Sequence, residues 1–274
     1  MAGSLIINAD DFGLTESVSR GIIRAHLQGI LTSTTFMANF PWAPDMAPML
    51  KEAPNLGVGV HLNLTTGEPL LPAEQVPSLV AEDGRFGKSL VRIFTRADMG
   101  EVQREWAAQV ERAIALLGRT PTHLDTHRYL QANPRFTEVM IDIARTYKIP
   151  AVRCLYAGPE LNLAQMVAAW NPVRIVVERA LRRSAELTAQ SGLKCPAVTL
   201  AGDFNLPGLL EKLMQVRGRV AELVSHPGLV DDQLRSLSSM QEHREEELAA
   251  LVSLTARQKV AELGISLITF ADLA

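Results

Sequence analysis

The feature that most constrains the fold of this 274-residue chain is an alternation of short, apolar, β-prone runs with longer segments of helical periodicity. Such alternation is typical of parallel strands joined by helical crossovers. The candidate strands are residues 4–9, 31–38, 57–64, 122–127, 151–155, 197–201, 220–225 and 265–270. Eight runs favour an α/β fold, and we predict a distorted, TIM-like (β/α) barrel in a single domain over residues 1–274.

Composition narrows the classes of partner. The hydrophobic share of 47% suffices for a large core, and a net charge of −3 without long charged runs excludes a typical nucleic-acid binder. Cys154 and Cys195 lack CxxC spacing, so we expect reduced thiols in the core. The chain starts without a basic leader and contains no apolar stretch that could span a bilayer. We therefore expect a cytoplasmic protein with no transmembrane segment.

Three segments interrupt or decorate the alternation. Residues 66–98, rich in proline and glycine, indicate a long loop excursion of the kind that forms lids or binding loops. Residues 156–194 resemble a helical insertion, and residues 231–263 one or two amphipathic helices with a solvated charged face. Phe40, Trp42 and the apolar residues 46–50 suit a lid, a core edge or a homodimer contact.

Asp10 and Asp11 follow the first candidate strand directly. Active sites of barrels and open parallel sheets are assembled at this carboxyl edge. Two adjacent carboxylates repel each other unless a cation or a proton relieves the charge, and a metal ion is an economical explanation. The alternative is a pair of helix N-cap residues.

His61 lies in a strand whose alternation places it on one face with Asn63, Gly57 and Gly59. We expect the two glycines to clear space beneath the histidine. A lone strand histidine is more often a hydrogen-bonded core residue than a ligand, and both alternatives stay open here.

His123, Asp125 and His127 form the strongest local signal, because alternate residues of a strand project to one side. Three polar groups that face a barrel lumen need mutual hydrogen bonds or a metal ion. Asp125 would orient one of the imidazoles.

His226 closes the seventh candidate strand and precedes a Pro-Gly turn, so it is either a general acid or a surface histidine. His26 and His243 lie in polar helical segments and are predicted to face solvent. One carboxylate and two imidazoles suit a hydrolytic metal site with open positions for water and a carbonyl oxygen. Asp10 would then take the proton of the water, and a protonated histidine would deliver one to the leaving amine.

Several motifs resemble those of the YdjC-like carbohydrate deacetylases, which include chitin-disaccharide deacetylases and HpnK-like enzymes and are related to NodB-type polysaccharide deacetylases. The matching segments are residues 8–14 (NADDFGL), 29–35 (GILTSTT), 59–65 (GVHLNLT), 121–127 (PTHLDTH) and 226–228 (HPG). They occur in family order and span most of the chain.

The resemblance implies removal of an acetyl group from an N-acetylated amino sugar, on an oligosaccharide or a glycolipid head group, with one divalent ion, Mg or Zn. It assigns Asp11, His61 and His127 as metal ligands, Asp10 as the base, His226 as the acid and Arg153 as the residue that braces Asp10.

The chain departs from the family after His127, where many members continue with further histidines and this sequence reads Arg128-Tyr129. These two residues are candidates for contacts with the sugar, whereas His123, Asp125 and Asn63 are candidates for holding the ligands in place or contacting substrate. Two rival functions remain: a non-catalytic barrel that binds a metal or a sugar, and a non-haem iron oxygenase built on His123, Asp125 and His226.

Overall fold

Parallel strands form the centre of the computed structural model, which describes residues 3–155, 172–202, 204–216, 218–238 and 240–273. The strands in this part of the chain are β1 (Ser4–Phe12), β2 (Ser33–Phe36), β3 (Gly57–Leu62), β4 (His123–Thr126), β5 (Ala151–Val152), β6 (Val198–Leu200), β7 (Val220–Ser225) and β8 (Ser266–Leu267). Each overlaps one of the eight predicted strands, and all of their pairings are parallel.

The order of the strands in the sheet is β5-β4-β3-β2-β1-β7-β6, and β8 pairs with β1. An isolated bridge between Ala151 and Lys194 continues the pairing beyond β5. Directly after β5, the Cys154 carbonyl oxygen accepts a hydrogen bond from the Thr199 hydroxyl of β6 over 2.7 Å. The sheet thus curls into an incompletely closed ring, and the predicted α/β fold of a distorted TIM-like barrel is confirmed.

Helices follow most of the strands and cover the outside of the sheet. Those of the described residues are α1 (Glu16–Gln28), α2 (Ala43–Met46), α3 (Leu90–Arg96), α4 (Met99–Leu117), α5 (Pro134–Thr146), α6 (Pro172–Ser191), α7 (Leu206–Met214), α8 (Asp232–Leu237), α9 (Glu242–Val252) and α10 (Leu254–Glu262). Local capping explains several boundaries: the Thr15 side chain accepts from Val18 N at the start of α1, and Gly118 ends α4 in the left-handed conformation.

The segment after β8 fills the interior of the ring. Phe270 is buried and stacks on His123, with ring centroids 3.6 Å apart. Gly59 makes room for this stack, because a Cβ there would lie 2.5 Å from the His123 ring, and a Cβ on Gly57 would meet Thr269. The two glycines thus leave space below His61, as expected, and the layer that contains His123 and Phe270 fills this space.

Residues 66–98 add no strand to the sheet, and their backbone is hydrogen-bonded to two glutamates of α4. They contain a 3-10 helix (Ala73–Gln75), an antiparallel bridge between Val80 and Phe86, and α3. Of the predicted insertion at residues 156–194, residues 156–171 lie outside the described residues, and α6 accounts for most of the rest.

The apolar residues near Phe40 belong to the core edge, one of the three alternatives considered. Phe40, Met46 and Leu50 are buried, and the partly exposed Trp42 stacks on Phe40 with ring centroids 5.0 Å apart. Across the residues that the structure describes, no helix combines the length and the apolar character that crossing a membrane requires.

Two predictions about burial need correction. Cys154 is buried as predicted, whereas Cys195 is partly exposed, and the hydrogen bond between the two thiols raises the pKa of Cys195. His243 is exposed as predicted, but His26 is partly buried because its Nδ1 is hydrogen-bonded to the Leu31 carbonyl oxygen at 2.8 Å.

Candidate functional site

The two adjacent carboxylates lie within the last residues of β1 rather than after it. The register of β1 against β2 shifts between Ala9 and Phe12, and Asp11 at this irregularity has a φ of 71°. A positive φ is unfavourable for a residue with a Cβ and is common at functional sites. The bulge allows Asp10 and Asp11 both to be buried at the carboxyl edge of the sheet.

Asp10 is held by Arg153, which follows β5 and is fully buried. Arg153 Nη1 and Nη2 donate to the two carboxylate oxygens of Asp10 over 2.8 and 2.6 Å, and Asn8 Nδ2 donates to Asp10 Oδ1 over 2.8 Å. Burial raises the pKa of Asp10, but Arg153 and the nearby histidines more than offset this and lower it below its usual range. Asp10 is therefore ionised and fixed in orientation, in the place predicted for a base.

Arg153 also contacts two further buried carboxylates. Its Nη1 lies 2.7 Å from Asp125 Oδ2, and its Nε donates to Glu222 Oε1 over 2.7 Å. Glu222 was not among the residues predicted from the sequence, although a glutamate in the middle of an apolar strand is a usable signal. Burial raises the pKa of Glu222, with smaller contributions from Asp10 and Asp125, to about 7 despite the opposing effect of Arg153.

Asp11 is held by a second buried arginine that the sequence analysis missed. Arg244 Nη2 donates to Asp11 Oδ2 over 2.6 Å. Arg244 lies on α9, within the segment whose charged face was predicted to be solvated, and only 1% of its surface is exposed. The face that carries Glu242 and Glu245 is exposed as predicted, but Arg244 and Glu247 lie on the buried face, which packs towards the site.

His61 lies between the carboxylates. Its Nδ1 is 2.6 Å from Asp125 Oδ1, and its Nε2 lies 3.5 Å from Asp11 Oδ1 and 3.9 Å from Asp10 Oδ2. Burial lowers the pKa of His61, but the negative charges of Asp125 and Asp10 outweigh this effect and raise the pKa to about 9. The contact with Asp125 fixes the orientation of the ring, with Nε2 on the side of Asp11.

His127 approaches Asp11 from the adjacent strand end. Its Nδ1 lies 2.6 Å from the Thr65 hydroxyl, and its Nε2 is 3.9 Å from Asp11 Oδ1. Thr65 is fixed by Asn63, whose Oδ1 accepts from the Thr65 backbone over 2.9 Å. The polar atoms of Asn63 are thus engaged in the loop that supports His127. Burial lowers the pKa of His127 to about 4, so the ring is neutral at pH 7.

Two overlapping groups of residues have the chemistry to hold a cation. Asp10, His61 and Asp125 bring one ligand atom each within 4.8 Å of one another. Asp10 and Asp125, however, are both paired with Arg153, so a cation already occupies that side. Asp11 Oδ1 is buried without a hydrogen-bond partner among the described residues and faces both imidazole Nε2 atoms. An orphaned carboxylate oxygen beside two oriented imidazoles fits a divalent metal better.

His226 lies on the other side of Asp10. Its Nε2 is 3.9 Å from Asp10 Oδ2, and its backbone N donates to Glu247 Oε2 over 2.5 Å. Burial lowers the pKa of His226 despite the nearby aspartates. The resting imidazole is therefore neutral rather than protonated, a difference from the state that the sequence analysis expected for an acid.

The remaining predicted residues differ in their distance from this centre. His123 is in the layer below, stacked on Phe270, and its Nε2 has no partner among the described residues.

Arg128 and Tyr129 both have positive φ values, 57° and 55°, directly after His127. Arg128 is exposed and donates to the Lys88 carbonyl oxygen of the 66–98 excursion, whereas Tyr129 is partly buried. Burial, and then the charge of Asp10, raise the pKa of the Tyr129 hydroxyl.

Comparison with known proteins extends over nearly the whole chain. The family model described as YdjC-like protein matches residues 4–262. A carbohydrate deacetylase of Geobacillus stearothermophilus is 35% identical over 97% of this chain and 96% of its own length. A chitooligosaccharide deacetylase of Proteus mirabilis is 31% identical over the full length of both chains.

A crystal structure from Enterococcus faecalis V583, labelled with a provisional role in cellobiose-phosphate cleavage, has the same fold. It superposes with a TM-score of 0.83 at 30% identity and covers 98% of both chains. The family model and the relatives agree with the resemblance that the motifs predict. The chain belongs to the YdjC-like protein family.

Proposed function

We propose that this protein is a metal-dependent carbohydrate N-deacetylase that hydrolyses the acetyl group from an N-acetylated amino sugar. Relatives named carbohydrate deacetylases match it over nearly their full length and support the reaction class. The observation that carries the metal-dependent part is the buried Asp11 Oδ1, which has no partner among the described residues and faces His61 and His127 Nε2.

In this proposal Asp11, His61 and His127 hold one divalent ion. Two imidazoles and a carboxylate suit Zn²⁺, whereas Mg²⁺ would prefer more oxygen ligands. The bound ion would acidify a water molecule and polarise the acetyl carbonyl. His61 must be neutral to act as a ligand, so metal binding has to displace the proton that its raised pKa retains.

Asp10 is the proposed base. Arg153 keeps Asp10 ionised and oriented. Because its lowered pKa makes Asp10 a weak base, Asp10 would take a proton more readily from a water acidified by the metal than from bulk water. Its Oδ2 lies between His61 and His226 Nε2, 3.9 Å from each. The proton taken by Asp10 can therefore be passed across the reacting centre.

His226 is the proposed acid for the departing amine. Because burial keeps it neutral at rest, the proton that it delivers is the one that leaves the attacking water. The C–N bond breaks as the amine nitrogen receives this proton, and the acetyl group leaves with the water oxygen and its second hydrogen as acetic acid, which ionises to acetate at neutral pH.

Arg128 and Tyr129 are proposed contacts for the sugar. They directly follow a proposed ligand, have two consecutive left-handed conformations and are not fully buried. Strained residues of this kind often serve binding, where a fixed orientation offsets the conformational cost. The substrate would be a small carbohydrate or a glycolipid head group.

One alternative is a barrel that binds a sugar or a metal without turnover. The oxygenase alternative receives less support, since its ligand set needs His123. That ring is stacked flat on Phe270 in the layer below the site.

The test is acetate release from N,N′-diacetylchitobiose and a panel of N-acetylglucosamine conjugates by metal-stripped protein supplied with Zn²⁺ or Mg²⁺. We expect release that depends on the added ion, that His127→Ala abolishes and that His243→Ala, a change at an exposed histidine, leaves intact. Stoichiometric metal binding without acetate from any substrate would favour the non-catalytic alternative.

A further inference from the structure

Helix α9 reaches the site from outside the sheet. Arg244 and Glu247 are three residues apart and lie on its buried face. Arg244 contacts Asp11 at the end of β1, and Glu247 contacts the His226 backbone after β7. One helix thus contacts both the proposed metal side and the proposed acid side.

The Asp11 carboxylate depends on this helix for its orientation. Its hydrogen bond within the described residues is the one from Arg244 Nη2 to Oδ2, at 2.6 Å. Its backbone has an unfavourable φ of 71°. Because Oδ2 accepts the hydrogen bond from Arg244, Oδ1 is directed towards the two imidazoles. Rotation about the Cβ–Cγ bond would move Oδ1 away from them.

Arg244 is itself anchored before it reaches Asp11. Its Nε donates to the Met240 carbonyl oxygen over 3.1 Å, and its backbone oxygen accepts from Gly228 N over 3.2 Å. Gly228 packs against the stem of the arginine, since a Cβ at this position would lie 3.4 Å from Arg244 Cδ. These contacts fix the orientation of the planar guanidinium, and its Nε donor is used by the Met240 carbonyl oxygen.

We propose that Arg244 is the positioning residue that holds Asp11 Oδ1 towards His61 and His127 and thereby sets the affinity of the site for its metal. The inference rests on the metal site proposed above. Loss of a partner that orients a metal ligand commonly weakens metal binding about 10- to 100-fold.

A purely electrostatic role predicts the opposite sign. Arg244 is a cation beside the position of a dication, so its removal alone would strengthen metal binding by relieving Coulomb repulsion. Orientation should prevail, because a carboxylate that rotates away supplies no ligand atom. The sign of the change in affinity therefore distinguishes the two roles.

The experiment is a calorimetric titration of metal-stripped protein with Zn²⁺. Arg244→Met keeps the length and the apolar stem and should bind Zn²⁺ about 10- to 100-fold more weakly than wild type. Arg244→Lys keeps the charge but loses the planar fork, and we expect a smaller loss of about 3- to 10-fold. Arg235→Met, at an exposed arginine of α8, should leave the affinity unchanged.

Equal or tighter binding by Arg244→Met would overturn the proposal and leave Arg244 as a counter-charge. If that variant does not fold, as judged by circular dichroism, Arg244→Lys decides: weaker binding supports positioning, and unchanged binding overturns it. A lowered Tm with an unchanged zinc affinity would mark a merely structural residue. Absence of zinc binding by the wild-type protein would refute the metal site itself, whereas equal binding by all variants refutes this inference alone.

Discussion

Asp10 and Asp11 are adjacent in sequence, equally buried and each paired with a buried arginine, yet their surroundings differ. Arg153 comes from a strand end and contacts three carboxylates with all of its nitrogens. Arg244 comes from a peripheral helix and contacts one carboxylate and one backbone carbonyl; its Nη1 is buried without a partner in the described part of the chain. The first pair is saturated, whereas the second leaves one carboxylate oxygen open.

This difference separates two tasks that one carboxylate could not perform together. The proposed base, Asp10, needs a fixed orientation and a defined charge, which Arg153 provides. The proposed ligand, Asp11, needs an oxygen free of hydrogen bonds, which the single contact with Arg244 leaves. Two arginines relieve the charge of the adjacent aspartates, so repulsion between the carboxylates is no evidence for a metal ion. The evidence for a metal ion is the Asp11 oxygen without a hydrogen-bond partner among the described residues, together with the two imidazoles that it faces.

The largest contrast should come from the same substitution at the two positions. Asp10→Asn should lower kcat for acetate release about 10²- to 10⁴-fold, since the proposed base is lost, with zinc content equal to that of wild type. Asp11→Asn should instead lose zinc. Acetate assays paired with elemental analysis of both variants test this, and loss of zinc from Asp10→Asn would make Asp10 a ligand.

Removal of Arg153 should cost about 3–5 kcal/mol in the free energy of unfolding, because buried carboxylates lose their counter-charge. Arg244→Met should lower the free energy of unfolding by less, since it leaves one buried carboxylate without its arginine rather than three. Urea denaturation measures both. Arg20→Met serves as the control at an exposed i,i+4 pair and should change stability by less than about 1 kcal/mol. Equal losses for the two buried arginines would remove the distinction between a saturated and an open pair.

The pH dependence of stability that Glu222 causes tests whether the three carboxylates around Arg153 carry more negative charge than this arginine balances. Its pKa in the folded protein is about 7, above the ordinary 4.5, so the folded state retains a proton that the unfolded state releases. The stability from this proton is fully present below about pH 4.5 and is lost as the pH rises to 7. Relative to Glu222→Gln, the wild-type protein should lose up to about 1.4 kcal/mol per pH unit in this window. A constant difference between pH 5 and 8 in urea unfolding would show that Glu222 stays ionised.

The smallest effect is expected on the open side, at Thr65. Thr65→Val removes the hydroxyl that contacts His127 Nδ1 at 2.6 Å and should weaken zinc binding about 10-fold through a less oriented ring. Thr95→Val, at an exposed threonine of α3, is the matched control. Calorimetry on the two variants compares them directly, and identical affinities would mean that His127 is oriented by packing alone.

The strand pattern predicted much of this arrangement. Alternation placed eight strands correctly, and the rule that strand carboxyl ends converge brought Asp11, His61 and His127 together. The spacing of His123 and Asp125 was informative too, but it could not tell which one reaches the site, because that depends on the layer at which each side chain lies. Phe270 fills the layer that His123 faces.

The residues that were missed lie where local pattern carries less information. Glu222 could have been found as a charge inside an apolar strand. Arg244 is one of several charged residues at the start of α9, and the helical spacing from Leu248 and Leu251 indicated its inward face. Its partner could not be inferred, because a contact between positions 11 and 244 depends on how α9 packs.

The incomplete closure of the sheet has a consequence for how this protein can change over evolutionary time. In the described residues, the contacts across the gap include the hydrogen bond from Arg153, which follows β5, to Glu222 of β7. The Arg153 guanidinium, which orients Asp10, therefore also connects the two edges of the incompletely closed sheet through Glu222. A mutation that loosens this connection would alter activity and local stability together, so we expect hydrogen exchange at β5 and β6 to rise in any variant of these two residues that impairs Asp10.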